Sequence, residues 1–326
     1  MPNPPVDRST WQPVLRVLGA GLMLFTLALV ANLFTYSVTV DNTDLDHQRN
    51  FNDGYKIFSL TLPNSIELCG EPVPMGKLDV RERLDRELLV NTYWQSNSIL
   101  AHKRAARWFP IIEEILRREG VPEDLKYIAL IESNLSNVVS PMGATGYWQF
   151  MKETAQAHGL RVDSEVDERY NVIKSTEAAA RYLRSSYDRY GSWAMAMASY
   201  NLGQGGLDKQ VARQGVTNYY DLLLPDETSR YVFRALAMKE VMGDPGRYGF
   251  HLRKKDLYAP YSVRTVELDA AVPDLAAWAV AHGTTYKVLK LLNPWLRDNR
   301  LSDPKGARYQ VLLPEADFDV AVGAEE

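Results

Sequence analysis

Apolar residues recur at three- and four-residue spacing through most of residues 79–243, the spacing that lays one face of a helix against a core. The pattern predicts helices over 79–94, 103–118, 123–133, 147–158, 174–190, 192–201, 204–213 and 227–242. Gly120, Gly159, Gly191, Gly203 and Gly243 fall at or near the expected helix ends, where glycine accepts the left-handed backbone of a helix stop. No run here alternates as a strand would. The length suits one all-α domain.

Different patterns flank this stretch. Residues 17–40 contain no charge, and the most apolar part, 17–34, would rise about 27 Å as a helix, close to the roughly 30 Å hydrocarbon core of a bilayer. A helix buried in a soluble core usually keeps polar residues on one face, so this reads as a transmembrane segment. Arg8 and Arg16 precede it and Asp41, Asp44 and Asp46 come after it, which puts the N-terminus (1–16) in the cytoplasm and the remainder outside. No small-residue cleavage site is evident, which favours an uncleaved anchor over a cleaved signal. Residues 41–78 mix a β-like run at 58–62 with turn formers and read as a stalk that packs on the helical region. We take 41–100 as stalk and packing segment and 101–245 as the main helical domain. Residues 261–313 form a separate β-α-α-β module: strand-like alternation at 262–268, short helices at 273–282 and 284–292, and a second strand at 308–313. Residues 314–326 are a solvated tail.

Composition narrows the chemistry. With 46% hydrophobic and 24% charged residues, wholesale disorder is excluded. A formal net charge of −4 argues against a nucleic-acid binder. One cysteine, Cys69, excludes an intrachain disulfide and a cysteine-rich metal site. The five histidines show no i, i+4 pair and no H-E-x-x-H, so no metal site and no cofactor are expected. No G-x-S-x-G elbow occurs. Gly203-Gln-Gly-Gly206 comes after a helix rather than a strand, which rejects a nucleotide-loop reading.

Three short segments carry candidate chemistry. Glu132 ends the apolar run 128–131. A carboxyl there either projects to water or sits against apolar surface, where desolvation raises its pKa and equips it to donate a proton. The loop 140–146 holds two glycines and a proline and leads into Tyr147, Trp148, Gln149 and Phe150. Aromatic faces beside an amide suit sugar rings bearing N-acetyl groups, although such aromatics also serve as core. Tyr200 and Asn201 arrive at the end of a small-residue helix, where Asn201 is either a ligand contact or a C-cap.

Together, in this order and spacing, Glu132-Ser133, Gly146-Tyr-Trp-Gln-Phe150 and Ser199-Tyr-Asn-Leu-Gly203 resemble the SLT-family lytic transglycosylases. Asp167-Glu168-Arg169, the run 175–183 and Glu227-Thr-Ser-Arg-Tyr-Val232 resemble that family too, over roughly 105–245. Residues 261–313 resemble one LysM module, with Val272-Pro-Asp-Leu275 where that module usually begins Gly-Asp-Thr-Leu. That departure leaves two roles open, glycan binding or bracing of the catalytic domain.

The resemblance implies a mainly α, lysozyme-like fold with a LysM-like C-terminal module. It implies a lytic transglycosylase of the bacterial cell envelope, anchored in the membrane with its catalytic domain in the periplasm. The partners would be peptidoglycan glycan strands and cell-wall enzyme complexes. Glu132 would be the catalytic acid and then base. Gln149, Tyr200 and Asn201 would contact glycan, Tyr231 would help hold the site, and Ser133 is a further contact. A goose-type-lysozyme-like hydrolase, an inactive membrane-tethered peptidoglycan binder and a cell-wall scaffold are the rival readings.

Overall fold

The structure is a computed structural model and describes residues 57–302 and 308–318, with positions 46, 49 and 54. The chain divides into two units, Met1–Phe58 and Ser59–Glu326, and every helix and strand named in this section belongs to the second. The apolar segment 17–40 lies outside the described residues. Among the described residues no helix is long and apolar enough to cross a membrane.

A short antiparallel hairpin, β1 (Glu67–Leu68) and β2 (Glu71–Pro72), leads into α1 (Leu78–Tyr93), α2 (Gln95–Arg118) and α3 (Lys126–Ser133). Next come α4 (Lys152–Ala157), α5 (Val172–Tyr190), α6 (Trp193–Leu202), α7 (Gln204–Gln214) and α8 (Asp226–Gly243). The centre is α6, where every residue from Trp193 to Ser199 is buried. A helix apolar on all sides belongs inside a core, and Ala194, Ala196 and Ala198 let α5 and α8 approach it closely. Ser192 caps its first turn. The Glu71 carboxylate accepts from the Trp193 N–H at 2.7 Å and from Ser192 Oγ at 2.9 Å, placing negative charge at the positive helix end. In α5, Asn171 caps the start and Gly191 at φ 68° ends the helix.

Helix α1 packs along α8 and contributes Val80, Leu84 and Leu88 to the same core as α3, α5 and α6. Two expectations fail locally. The β-like run 58–62 makes no strand; Leu60 and Leu62 pack individually against the helical core instead. The helix expected from 147 begins only at Lys152. Thr145 and Phe150 exchange two backbone hydrogen bonds of 3.1 Å, so 146–149 form a closed turn although their aromatic spacing suits a helix.

The C-terminal module has the expected order: β3 (Val263–Leu268), α9 (Leu275–Ala281), α10 (Tyr286–Leu292) and β4 (Tyr309–Pro314). Its strands pair antiparallel with Val266 opposite Val311. Leu268, Leu275, Leu289, Trp295 and Leu313 form its core, joined by Val166 from the helical part of the chain.

Candidate active site

Glu132 sits in the last turn of α3. Buried Ile128, Ala129 and Leu130 anchor that helix, and its stop is abrupt. Asn134 and Leu135 both have left-handed backbones, at φ 50° and 53°. Asparagine tolerates that conformation, but a leucine there is strained. The turn is held from α2: Arg104 Nη1 donates to the Asn134 carbonyl at 3.0 Å, and Asn134 Nδ2 donates to Asn97 Oδ1 at 2.8 Å.

The turn leaves Glu132 lining a groove of about 550 Å³ between α1, α3 and α8. Trp94 and the ion-paired Glu87 and Arg230 line it from the α1 side and from α8, with Glu227 and Arg234 also on α8. Tyr231 lies on α8 beneath the carboxyl, 1% exposed, and its hydroxyl donates to Glu132 Oε1. Burial pushes the Glu132 carboxyl up to about 7. The Tyr231 hydrogen bond and the Arg234 guanidinium hold it down, and the Glu227 carboxylate adds to the rise. Arg234 Nη2 also donates to the Ile131 carbonyl at 2.6 Å, a cation at the negative end of α3. The result is an acid still partly protonated at neutral pH, beside a groove, which is what proton donation to a leaving oxygen requires.

Three of the other expected site residues, Ser133, Tyr200 and Gln149, group around the loop 143–150. Ser133 Oγ lies 2.8 Å from the Tyr147 carbonyl and 3.0 Å from the Ala129 carbonyl, so its one hydroxyl proton is shared between them. Tyr200 OH donates to the Trp148 carbonyl at 2.8 Å, with its ring edge-on to Phe150 and Tyr182. Gln149 has a left-handed backbone, φ 49°, and its side chain donates to the Gly146 carbonyl at 2.8 Å and the Val138 carbonyl at 3.0 Å. Ser133, Tyr200 and Gln149 thus bind the loop itself. Gly146 is required by close approach: at φ 85°, a Cβ there would lie 1.9 Å from the Arg169 carbonyl oxygen. Asn201 stands apart from the loop. Its Oδ1 accepts from Thr228 Oγ1 at 2.7 Å and its Nδ2 reaches Glu227 at 3.4 Å, so it orients the start of α8 and the carboxylate next to Glu132.

Sequence reasoning gave no site role to Glu227, Arg234, Trp94 or the Glu87–Arg230 pair, although Glu227 and Arg230 lie in a motif that it quoted. The signal for the first two was the helical spacing: Glu227, Tyr231 and Arg234 lie four and three residues apart, on one face of α8. Among the described residues no group of three or more His, Cys, Asp or Glu side chains is placed to hold a metal ion.

Residues 109–223 match the Transglycosylase SLT domain, and residues 264–317 match the Soluble lytic transglycosylase C-terminal LysM-like domain. The chain carries an SLT transglycosylase domain and, C-terminal to it, a LysM-like domain. It is homologous to membrane-bound lytic murein transglycosylase D of Escherichia coli (strain K12), 27% identical over 259 residues, covering 77% of this chain and 55% of that protein. A protein of Alteromonas sp. (strain M-1) named for tributyltin chloride resistance is 33% identical over 97 residues, 29% of this chain and 46% of that one. The chain spans about half the length of these relatives. The 70 kDa soluble lytic transglycosylase of Escherichia coli aligns with a TM-score of 0.34 at 21% identity, over 45% of this chain and 26% of that one.

Proposed function

We propose that this protein is a peptidoglycan lytic transglycosylase that cleaves the β-1,4 bond between N-acetylmuramic acid and N-acetylglucosamine without consuming water. One observation carries the reading: of the carboxyls lining the groove, Glu132 is raised to about 7 and held from beneath by Tyr231, whereas Glu87 is ion-paired with Arg230. The SLT domain match and the homology to lytic murein transglycosylase D support the same class.

Protonated Glu132 gives its proton to the glycosidic oxygen as the bond from that oxygen to the anomeric carbon breaks. The acetamido carbonyl oxygen of the muramyl residue closes on the anomeric carbon and carries the charge, as in substrate-assisted glycosidases. The Glu132 carboxylate then takes the proton of the 6-hydroxyl. That oxygen attacks the anomeric carbon and displaces the acetamido oxygen. The products are a free 4-hydroxyl and a 1,6-anhydro ring, and Glu132 is protonated again. Gln149 and Asn201 are assigned to the glycan-binding surface, and Ser133, Tyr200 and Tyr231 to the shape of the site. Glu153 is exposed on α4 and is not part of the groove lining.

By the same reading the protein works at the bacterial cell envelope, with residues 17–40 as its anchor. The test is digestion of purified sacculi and then mass spectrometry of the fragments. Anhydro ends are expected. Reducing ends carrying the mass of water identify a hydrolase, and intact sacculi with bound protein identify a binder.

A further inference from the structure

We propose that the LysM-like module is a brace for the catalytic loop 143–150, acting through Asp167 and Arg169 as positioning residues. The assignment of that loop to the glycan site rests on the proposed transglycosylase function; the brace itself rests on the contacts of one segment.

Residues 161–171 lie between the module and the loop. On the module side, Val166 is 0% exposed within the module's own core and pairs antiparallel with Leu296. The Asp167 N–H donates to the Trp295 carbonyl at 2.9 Å, and the Arg297 N–H donates to the Glu165 carbonyl at 2.8 Å. The Glu165 carboxylate accepts from the Ser302 N–H and hydroxyl at 2.9 and 2.7 Å. The Arg297 guanidinium lies 4.1 Å over the Tyr170 ring. This edge of the module is therefore occupied by the chain itself.

On the loop side, Arg169 Nη1 donates to the Gly143 and Phe150 carbonyls, both at 3.2 Å, so one guanidinium spans the two ends of the loop. Its own carbonyl is the surface on which Gly146 packs. Asn137 Nδ2 donates to the Tyr170 carbonyl at 3.2 Å. Asp167 joins the two sides: its N–H is bound to the module, and its carboxylate holds Arg169 at 2.8 and 3.0 Å. Both side chains are buried, so removing either would leave the other charge without compensation.

The loop needs such a brace. Gly143, Gly146 and Gln149 all have positive φ, in a segment with no regular secondary structure. Residues of that kind have large conformational freedom to lose. Fixing the loop carbonyls at 147 and 148 also fixes the acceptors that Ser133 and Tyr200 use, one residue from Glu132 and beside Tyr231.

The test uses the full-length chain with Val166→Asp, and Glu165→Ala as a milder variant that removes only the carboxylate held by Ser302 and Arg300. Amide hydrogen exchange is measured by residue segment, together with binding of the tetrasaccharide of N-acetylglucosamine. With the module loosened, exchange at 293–302 rises, and exchange at 143–150 rises with it by about tenfold while α5 and α6 stay protected. Tetrasaccharide affinity falls about tenfold through misplacement of the loop, with KM changed more than kcat and the pH limb of Glu132 unmoved. If α5 and α6 lose protection in Val166→Asp, the milder variant decides. Faster exchange at 293–302 with unchanged protection at 143–150 overturns the brace. A wild-type chain that neither binds the tetrasaccharide nor cuts sacculi overturns the enzyme reading instead, and exchange still decides the brace.

Discussion

The Tyr231 hydroxyl donates to Glu132 Oε1, joining two helices across 99 positions of sequence. Tyr231 is buried beneath the carboxyl, so the acid is held from below while its other side lines the groove. The hydrogen bond favours the charged form and burial favours the neutral one, and burial wins.

Glu132→Gln should abolish cleavage of sacculi and leave the fold intact. It should also change how stability depends on pH. In the wild type the folded carboxyl titrates near 7 against an ordinary value of 4.5. Below 4.5 the group is protonated in both states and its contribution is fully present. As pH rises, the unfolded chain ionises first, and stability is lost until the folded carboxyl has titrated, by up to about 3 kcal/mol. Glutamine has no such loss, so the difference between urea midpoints of the two proteins should change steadily from about pH 4.5 to about pH 7. Parallel curves would show that Glu132 is not desolvated.

Cleavage should fall as pH rises through about 7, because the proton donor is lost. Tyr231→Phe removes a donor to the charged form, so this alkaline limb should move to higher pH, with about 1 kcal/mol of stability lost along with the hydrogen bond. Rate profiles on solubilised peptidoglycan would check it. A limb that stays in place would dissociate Tyr231 from the titration.

Arg234 and Glu227 act on Glu132 with opposite sign. Arg234→Met should move the alkaline limb up, and Glu227→Gln should move it down. Both shifts should shrink in high salt as the charges are screened. The same direction of shift in both variants would mean that the charges act by altering structure.

Gly146→Ala should cost more than about 3 kcal/mol or displace the loop, since a Cβ would collide with the Arg169 backbone oxygen. Gly143→Ala, also at positive φ but with open space around it, should cost only about 1 kcal/mol. Thermal unfolding of the two variants separates collision from backbone conformation. Equal costs would remove the packing argument.

Helix content was legible because amphipathic spacing reports which face is covered. The stretch around α5 obeys that rule closely, starting at Asn171 and stopping at Gly191. The β-α-α-β module was legible for the same reason, in the alternation of β3 and β4. The helix start at Lys152 was not, because spacing is blind to the closed Thr145–Phe150 pairing that turns the aromatic run back on itself. Glu132 was legible as a candidate only through its company, since one glutamate after an apolar run is compatible with open water. Arg234 escaped notice, and Glu227 was read only as part of a motif, because charged residues on a helix face ordinarily meet solvent.

Local periodicity, turn chemistry and residue type were enough to place the helices, the small module, the order of the motifs and the acid at the end of α3. Packing of distant segments was needed to desolvate that acid, to set Tyr231 and Arg234 against it, and to bring the module onto the segment beside the loop 143–150. Desolvation and charge coupling depend on distances between residues far apart in the chain, and no local pattern contains those distances.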